Sequence, residues 1–158
     1  AVLMGALTDQ TGIQRTQDIY DVIDTPECKG MKVVIKDTGL WQRSVANNIM
    51  TNWLSAGTKF DALIANNDEM AAGVLRVASN LNIKVPEQLS VAGFDDNILA
   101  SRIIPSLTTI RRPVQNMACL AVQKLINKSQ STQSEKIKLD DVVTPYLVKR
   151  ESTNRCAK

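Results

Sequence analysis

Four short runs, "AVLMG" with its strand at 2–5, "KVVI" at 32–35, "DALIA" at 61–65 and "LSVAGF" at 89–94, are apolar almost without interruption. A strand with one wet face alternates apolar and polar residues, so runs of this kind belong in a sheet covered on both sides. Between them, apolar side chains recur at helical spacing over 12–24 (Ile13, Ile19, Tyr20, Ile23), 41–55 (Val45, Ile49, Trp53, Leu54) and 69–81 (Met70, Val74, Leu75, Ala78). Strands joined by helices make parallel sheets, and the chain reads as α/β, a doubly wound parallel sheet with helices on both faces. Trp53 is expected in the core. Asp68 ahead of "EMAAGVLRVA" suits a helix cap, and "NLNIKVPEQ" marks the loop to the last run.

At 158 residues and 44% apolar content the chain holds enough for one globular domain. Its net charge of +3 comes from scattered Lys and Arg, without the basic stripe that a phosphate backbone requires. No apolar run approaches the roughly 18 residues of a membrane span, so no membrane contact is expected, and the first residues lack the charged start and cleavage site of a signal peptide. Cys28, Cys119 and Cys156 are odd in number and widely spaced, which fits neither a disulfide framework nor a zinc site and favours a reducing compartment. Histidine is absent, which removes the usual general base, the Ser-His-Asp and Cys-His nucleophiles and most transition-metal sites. No P-loop, GxGxxG or HExxH pattern anchors another chemistry. The chain therefore reads as a binding module and not an enzyme, with no catalytic residue, cofactor or metal expected; a carboxylate-using sugar enzyme is the remaining catalytic alternative.

The stretch "VAGFDDN" at 91–97 ends an apolar strand in one aromatic residue and two carboxylates. The other strands end similarly: the first runs into "ALTDQTGIQR", the second into "DTGLWQR", the third into "NND". Ligands of open α/β sheets bind beyond the carboxyl ends of the strands. The candidates collected there are Arg15, Trp41, Arg43, Asn67, Asp68, Phe94 and Asp95. Aromatic faces suit the C–H faces of a ring, and guanidinium, amide and carboxylate groups suit paired hydroxyls, so a sugar or cyclic polyol is the expected ligand. Each residue also has a plainer reading. Asn67 and Asp68 could simply cap a helix, Trp41 could be core, and Arg15 and Arg43 could be solvated surface. Asp95 and Asp96 lack the six or more oxygens and the loop spacing of a calcium site.

The segment "FDALIANNDEMAAGVLRVASNLNIKVPEQLSVAGFDDNILASRIIPSLTTIRRPV", with "PYLVKREST" beyond it, closely resembles the carboxy-terminal part of the lactose and galactose repressor family. "DTGLWQRSVANNIMTNWLSAGTKFDALIANNDEMA" is similar as well to the ribose- and inositol-binding type 1 periplasmic proteins. The resemblance covers essentially the whole chain. It implies one lobe of a two-lobe periplasmic-binding-protein-like fold, with the ligand in the cleft between lobes. By resemblance Arg15 binds ligand hydroxyls, Trp41 stacks on the ring, Arg43 lies in the same loop, Asn67 and Asp68 form the Asn-Asp pair, and Asp95 takes hydroxyls beside Phe94. Arg112, in "LTTIRR", stands where many relatives carry glutamine at a hinge crossing; a cation there could select a more acidic or differently hydroxylated ligand.

The resemblance further assigns residues 1–112 to the second, carboxy-terminal lobe, 113–138 to a first lobe otherwise missing, and 139–158 to a return strand and tail. Two function classes follow. One is the effector-binding lobe of a cytoplasmic transcriptional regulator, touching DNA only through a headpiece absent here; the other is half of a periplasmic sugar-binding protein of a transporter. Over 113–126, Val114, Met117, Ala118, Leu120, Ala121, Val122 and Leu125 form an apolar stripe. Another copy, a separate chain, or the chain's own sheet must cover it, and a homodimer is expected.

Overall fold

The structure, a computed structural model, describes residues 1–130 and 143–155. Its elements in chain order are β1 (Val2–Met4), α1 (Gln10–Ile23), a 3-10 turn (Pro26–Cys28), β2 (Lys36–Thr38), α2 (Arg43–Ser55), β3 (Ala62–Ala65), α3 (Asp68–Asn80), β4 (Ser90–Asp95), β5 (Thr108–Arg111), α4 (Val114–Gln130) and β6 (Tyr146–Val148). They build a mixed α/β domain around a six-stranded sheet of order β2-β1-β3-β4-β5-β6. All neighbours are parallel except β6, which runs antiparallel to β5. The chain leaves β1 toward β2 through α1, then crosses back through α2 to β3 and onward through α3 to β4. Right-handed crossovers in opposite directions put α1 on one face and α2 with α3 on the other. The order reverses between β1 and β3, and ligands of such sheets bind outside the carboxyl ends of the strands at this kind of switch point.

The core lies between the sheet and the α2–α3 pair. Leu3, Leu63, Val91 and Leu107 meet Met50, Trp53, Met70, Val74 and Leu75, all buried. Gly73 lets the two helices approach, because a Cβ there would press into the backbone of Arg43 and against Ala46. The α1 face is covered more thinly. Along β3 exposed and buried residues alternate, and Ile64 keeps 38% of its surface exposed.

Three details depart from expectation. The second strand is Lys36–Thr38 and not 32–35. As an edge strand it is fixed by register with Val2–Met4, with Ile35 O still accepting from Val2 N at 3.0 Å, and burial does not select its residues. The third helix is capped by Asn67, whose side chain accepts from Met70 N, while Asp68 is already the first helical residue. β5 was not foreseen as a strand: Thr108 and Thr109 are buried although polar, because Ser152 Oγ accepts from Thr108 N at 2.8 Å and Thr109 Oγ1 donates to Asp68 at 2.5 Å.

α4 leaves the sheet at Arg112 and exposes Val114, Met117, Val122 and Leu125. The stripe is not folded back onto the sheet. The rest of the 113–138 segment, from residue 131, and Cys156 lie outside the described residues.

Candidate ligand-binding edge

Arg15 enters the carboxyl edge from the second turn of α1, which starts at an Asp9 cap. Its Nη1 donates to Asn66 O at 2.5 Å and its Nη2 to Asp95 Oδ1 at 3.1 Å. The guanidinium lies 3.8 Å from the Phe94 ring centroid and 5.5 Å from that of Trp41. Two aromatic faces and two acceptors thus fix one cation in place, its side chain only 12% exposed. Burial pulls its pKa down, against the pull of Asp95, and it remains charged.

Trp41 reaches this point through backbone that few side chains adopt: Leu40 and Trp41 have φ of 52° and 64°. Asn67 Nδ2 donates to Trp41 O at 3.2 Å, tying that loop to the end of β3. The indole lies flat over Gly5, where a Cβ would overlap its six-membered ring. The first and second strand ends therefore meet through a ring resting on bare backbone.

Asp95 closes the edge from β4. Its Oδ1 takes both Arg15 and, at 3.0 Å, Arg112 Nε; its Oδ2 accepts no hydrogen bond among the described residues. Asp95 has φ of 117° and Asp96 of 53°, so the chain turns sharply where the two carboxylates part. Asp96 points inward with a side chain 1% exposed, paired with Arg111 Nε and, at 2.7 Å, with Arg150 Nη2.

Arg15, Trp41, Phe94, Asp95 and Arg112 are thus brought together by direct contact. Asn67 adjoins them, but its amide is spent on the helix cap and on Trp41 O. Asp68 lies behind them, fully buried, accepting from Thr109 Oγ1 and from Asn97 N at 2.9 Å. Burial pushes its carboxyl above the ordinary carboxylate range, against those two bonds. Arg43 turns to Glu69, both Nε and Nη2 on Glu69 Oε2 at 3.0 and 2.7 Å, beside an open groove that it lines with Trp41, Asn47, Arg76 and Asn80. No cluster of three or more metal-ligating side chains occurs among the described residues. Nor is any of their helices long and apolar enough to cross a membrane.

Sequence reasoning passed over Asn66, Arg111 and Arg150 and weighed Asp96 only as a cation ligand. Asn66 is buried, with Nδ2 donating to Gly12 O and Thr16 Oγ1 at 3.1 and 2.9 Å, and so ties α1 to β3 beneath Arg15. The doubled acids of "GFDDN" facing the doubled arginines of "TTIRR" were the available signal.

Comparison with known proteins bears on the family and the fold. Residues 20–153 match the family described as periplasmic binding protein-like domain. The HTH-type transcriptional regulator AscG of Escherichia coli is 32% identical over 126 residues, which make up 80% of this chain and 37% of that protein. A Rhizobium meliloti protein named for binding rhizopine is 53% identical over 75 residues, 48% of this chain and 24% of its own. Among solved structures, the Escherichia coli repressor ascG superposes with a TM-score of 0.83 at 28% identity, over 96% of this chain and 54% of that one. A sugar-binding transcriptional regulator of the LacI family from the same organism gives 0.82 at 28%, over 96% and 53%. The chain thus spans 37% of the length of one curated relative and about half of these solved chains. A match over most of its residues, on a fold shared with the repressor ascG, shows that the chain belongs to the periplasmic binding protein-like domain family.

Proposed function

We propose that this chain is the carboxy-terminal lobe of a sugar- or cyclic-polyol-responsive transcriptional regulator. The observation that carries the reading is the meeting of Arg15 and Asp95 between the rings of Trp41 and Phe94, on the carboxyl edge of a parallel sheet. Trp41 and Phe94 offer ring edges and faces, Asp95 Oδ2 accepts from a hydroxyl, and the remaining N–H groups of Arg15 and Arg112 donate to its neighbours. Asn67 and Asp68 act from behind, holding the Trp41 loop and the 94–97 turn. Arg43, engaged by Glu69, contributes at the rim. Arg112 sets the hydroxyl pattern that is accepted.

In this reading residues 1–112 and 139–158 form one lobe and 113–138 belong to another, which supports the exposed stripe of α4 as a lobe-to-lobe contact. The protein is cytoplasmic and dimeric, performs no catalysis, uses no cofactor and meets DNA through a separate headpiece. Relatives that are named as transcriptional regulators support it. The rhizopine-named relative, more identical over a shorter stretch, favours a second reading as half of a periplasmic solute-binding protein. The deciding experiment is titration of the two-lobed protein with pentoses, hexoses and inositols, together with an operator-binding assay. Sugar binding that alters DNA affinity supports the regulator; sugar binding with no DNA affinity supports the transport protein; no binding by any member of the panel rejects both.

A further inference from the structure

Two adjacent aspartates and two adjacent arginines face each other across the ends of β4 and β5, where Asp95 registers with Arg111. The pairs are arranged in two layers. In the outer layer Asp95, at the ligand-facing edge, holds Arg15 and Arg112. In the inner layer Asp96, out of reach of solvent, holds Arg111 and Arg150. Arg150 also donates to Leu107 O at 2.8 Å, and Asp96 N lies 3.4 Å from Thr109 Oγ1, so the inner layer fastens the 94–97 turn to β5 and to the segment following β6. Asp68 Oδ2 takes Asn97 N, and its Oδ1 takes the same Thr109 hydroxyl. The turn is therefore held by two buried carboxylates, those of Asp96 and Asp68.

The backbone explains why a clamp is needed. Asp95, at φ 117°, lies outside the conformations that an aspartate adopts without cost, and such a residue persists only where its surroundings over-determine it. Released, the turn would relax toward extended backbone, and the Asp95 carboxylate would swing away from Arg15.

We infer that Asp96 is a positioning residue for ligand recognition: through the pairs its buried carboxylate makes with Arg111 and Arg150 it imposes the backbone that aims Asp95 at Arg15 and the ligand. The role in recognition rests on the sugar-binding reading; the effect of Asp96 on Asp95 does not.

The test has two arms, both in the two-lobed protein. The first is structural and needs no ligand: crystal structures of wild type, Asp96→Asn and the milder Arg150→Gln, which keeps a donor for Leu107 O. The inference expects the Arg15–Asp95 hydrogen bond to be lost and Asp95 to leave positive φ in Asp96→Asn, with a partial change in Arg150→Gln. An unchanged pair and unchanged φ in Arg150→Gln and in any folded Asp96→Asn overturns it. The second arm is a double-mutant cycle by calorimetry, using whichever of D-ribose, D-galactose or myo-inositol binds wild type. Asp96→Asn should weaken binding about tenfold when Asp95 is present and not at all in an Asp95→Ala background, while its loss of thermal stability is the same in both. Equal weakening in both backgrounds gives Asp96 a role other than positioning Asp95 and overturns the inference. Absence of binding by all three sugars in wild type counts against the sugar reading, and the structural arm then decides the positioning role alone.

Discussion

Thr109 and Asp68 share a hydrogen bond of 2.5 Å in the interior, directly behind the turn that carries Asp95. Asp68 is a wholly buried carboxylate with two donors and, among the described residues, no cation paired with it, so its charge is disfavoured by desolvation. Its pKa in the folded chain is raised above the ordinary 3.8, and the folded state binds the proton more tightly than the unfolded state. This group's contribution therefore improves as pH falls through the folded pKa toward the ordinary value, and worsens as pH rises. In urea unfolding, wild type should gain on Asp68→Asn as pH is lowered from neutrality into that window. At neutral pH the Asn variant removes the desolvated charge while its Oδ1 still accepts from Asn97 N and its amide donates to the Thr109 hydroxyl. A constant difference at all pH values would contradict the account.

Asn67 has two tasks that can be separated. Asn67→Asp keeps an acceptor for Met70 N but loses the bond to Trp41 O; Asn67→Ala loses both. The alanine variant should cost about 1 kcal/mol or more in stability from the lost cap, and the aspartate variant less. Both should loosen the Trp41 loop. Urea midpoints and the tryptophan emission spectrum check this, and equal stability loss in both variants would contradict it.

The contact between Trp41 and Gly5 predicts a specific steric effect. Gly5→Ala drives a methyl group into the indole and should displace Trp41 from its place beside Arg15, at about 1–3 kcal/mol of strain. Sugar affinity should fall while the α2–α3 core stays intact. Structure determination of the variant, with calorimetry, is the check; an unmoved indole would contradict it.

Core truncation should do the opposite. Leu63 is 1% exposed within the central cluster, and Leu63→Ala should cost about 2–5 kcal/mol of stability with little change in affinity per folded molecule. Chemical denaturation and titration on the same sample separate the two effects.

α2 and α3 were legible because a buried stripe repeats: Met70, Val74, Leu75 and Ala78 are all in the core, as is Trp53; in α1 the expected stripe is not buried, Ile13 being 47% exposed and the buried positions being Gly12 and Thr16. The inner strands were legible for the same reason. β2 was misplaced because an edge strand is selected by pairing, and β5 was missed because its buried threonines are satisfied by Asp68 and Ser152, partners distant in sequence. At the candidate site, the position of Arg15, Trp41, Phe94 and Asp95 at strand ends could be read from where apolar runs stop. That Arg43 turns to Glu69 could not, since both readings put an arginine at the rim. The work of Asp96 was equally hidden: adjacent acids look alike in sequence, and only the sharp turn at Asp95 separates the one facing outward from the one facing inward.

In the proposed two-lobe reading this chain supplies only part of the enclosure of a small ligand, so the isolated 158 residues should bind sugars weakly or not at all. Submicromolar binding by these residues alone would overturn the two-lobe account.

The central claim is that Arg15 and Asp95 form a ligand-binding pair, and calorimetric titration of the two-lobed protein with the pentose, hexose and inositol panel tests it most directly. The account predicts that at least one member binds wild type and that Arg15→Met and Asp95→Ala each weaken it about a hundredfold, close to the 2.7 kcal/mol that this ratio represents. Wild-type affinity retained in both variants, both still folded, would contradict it.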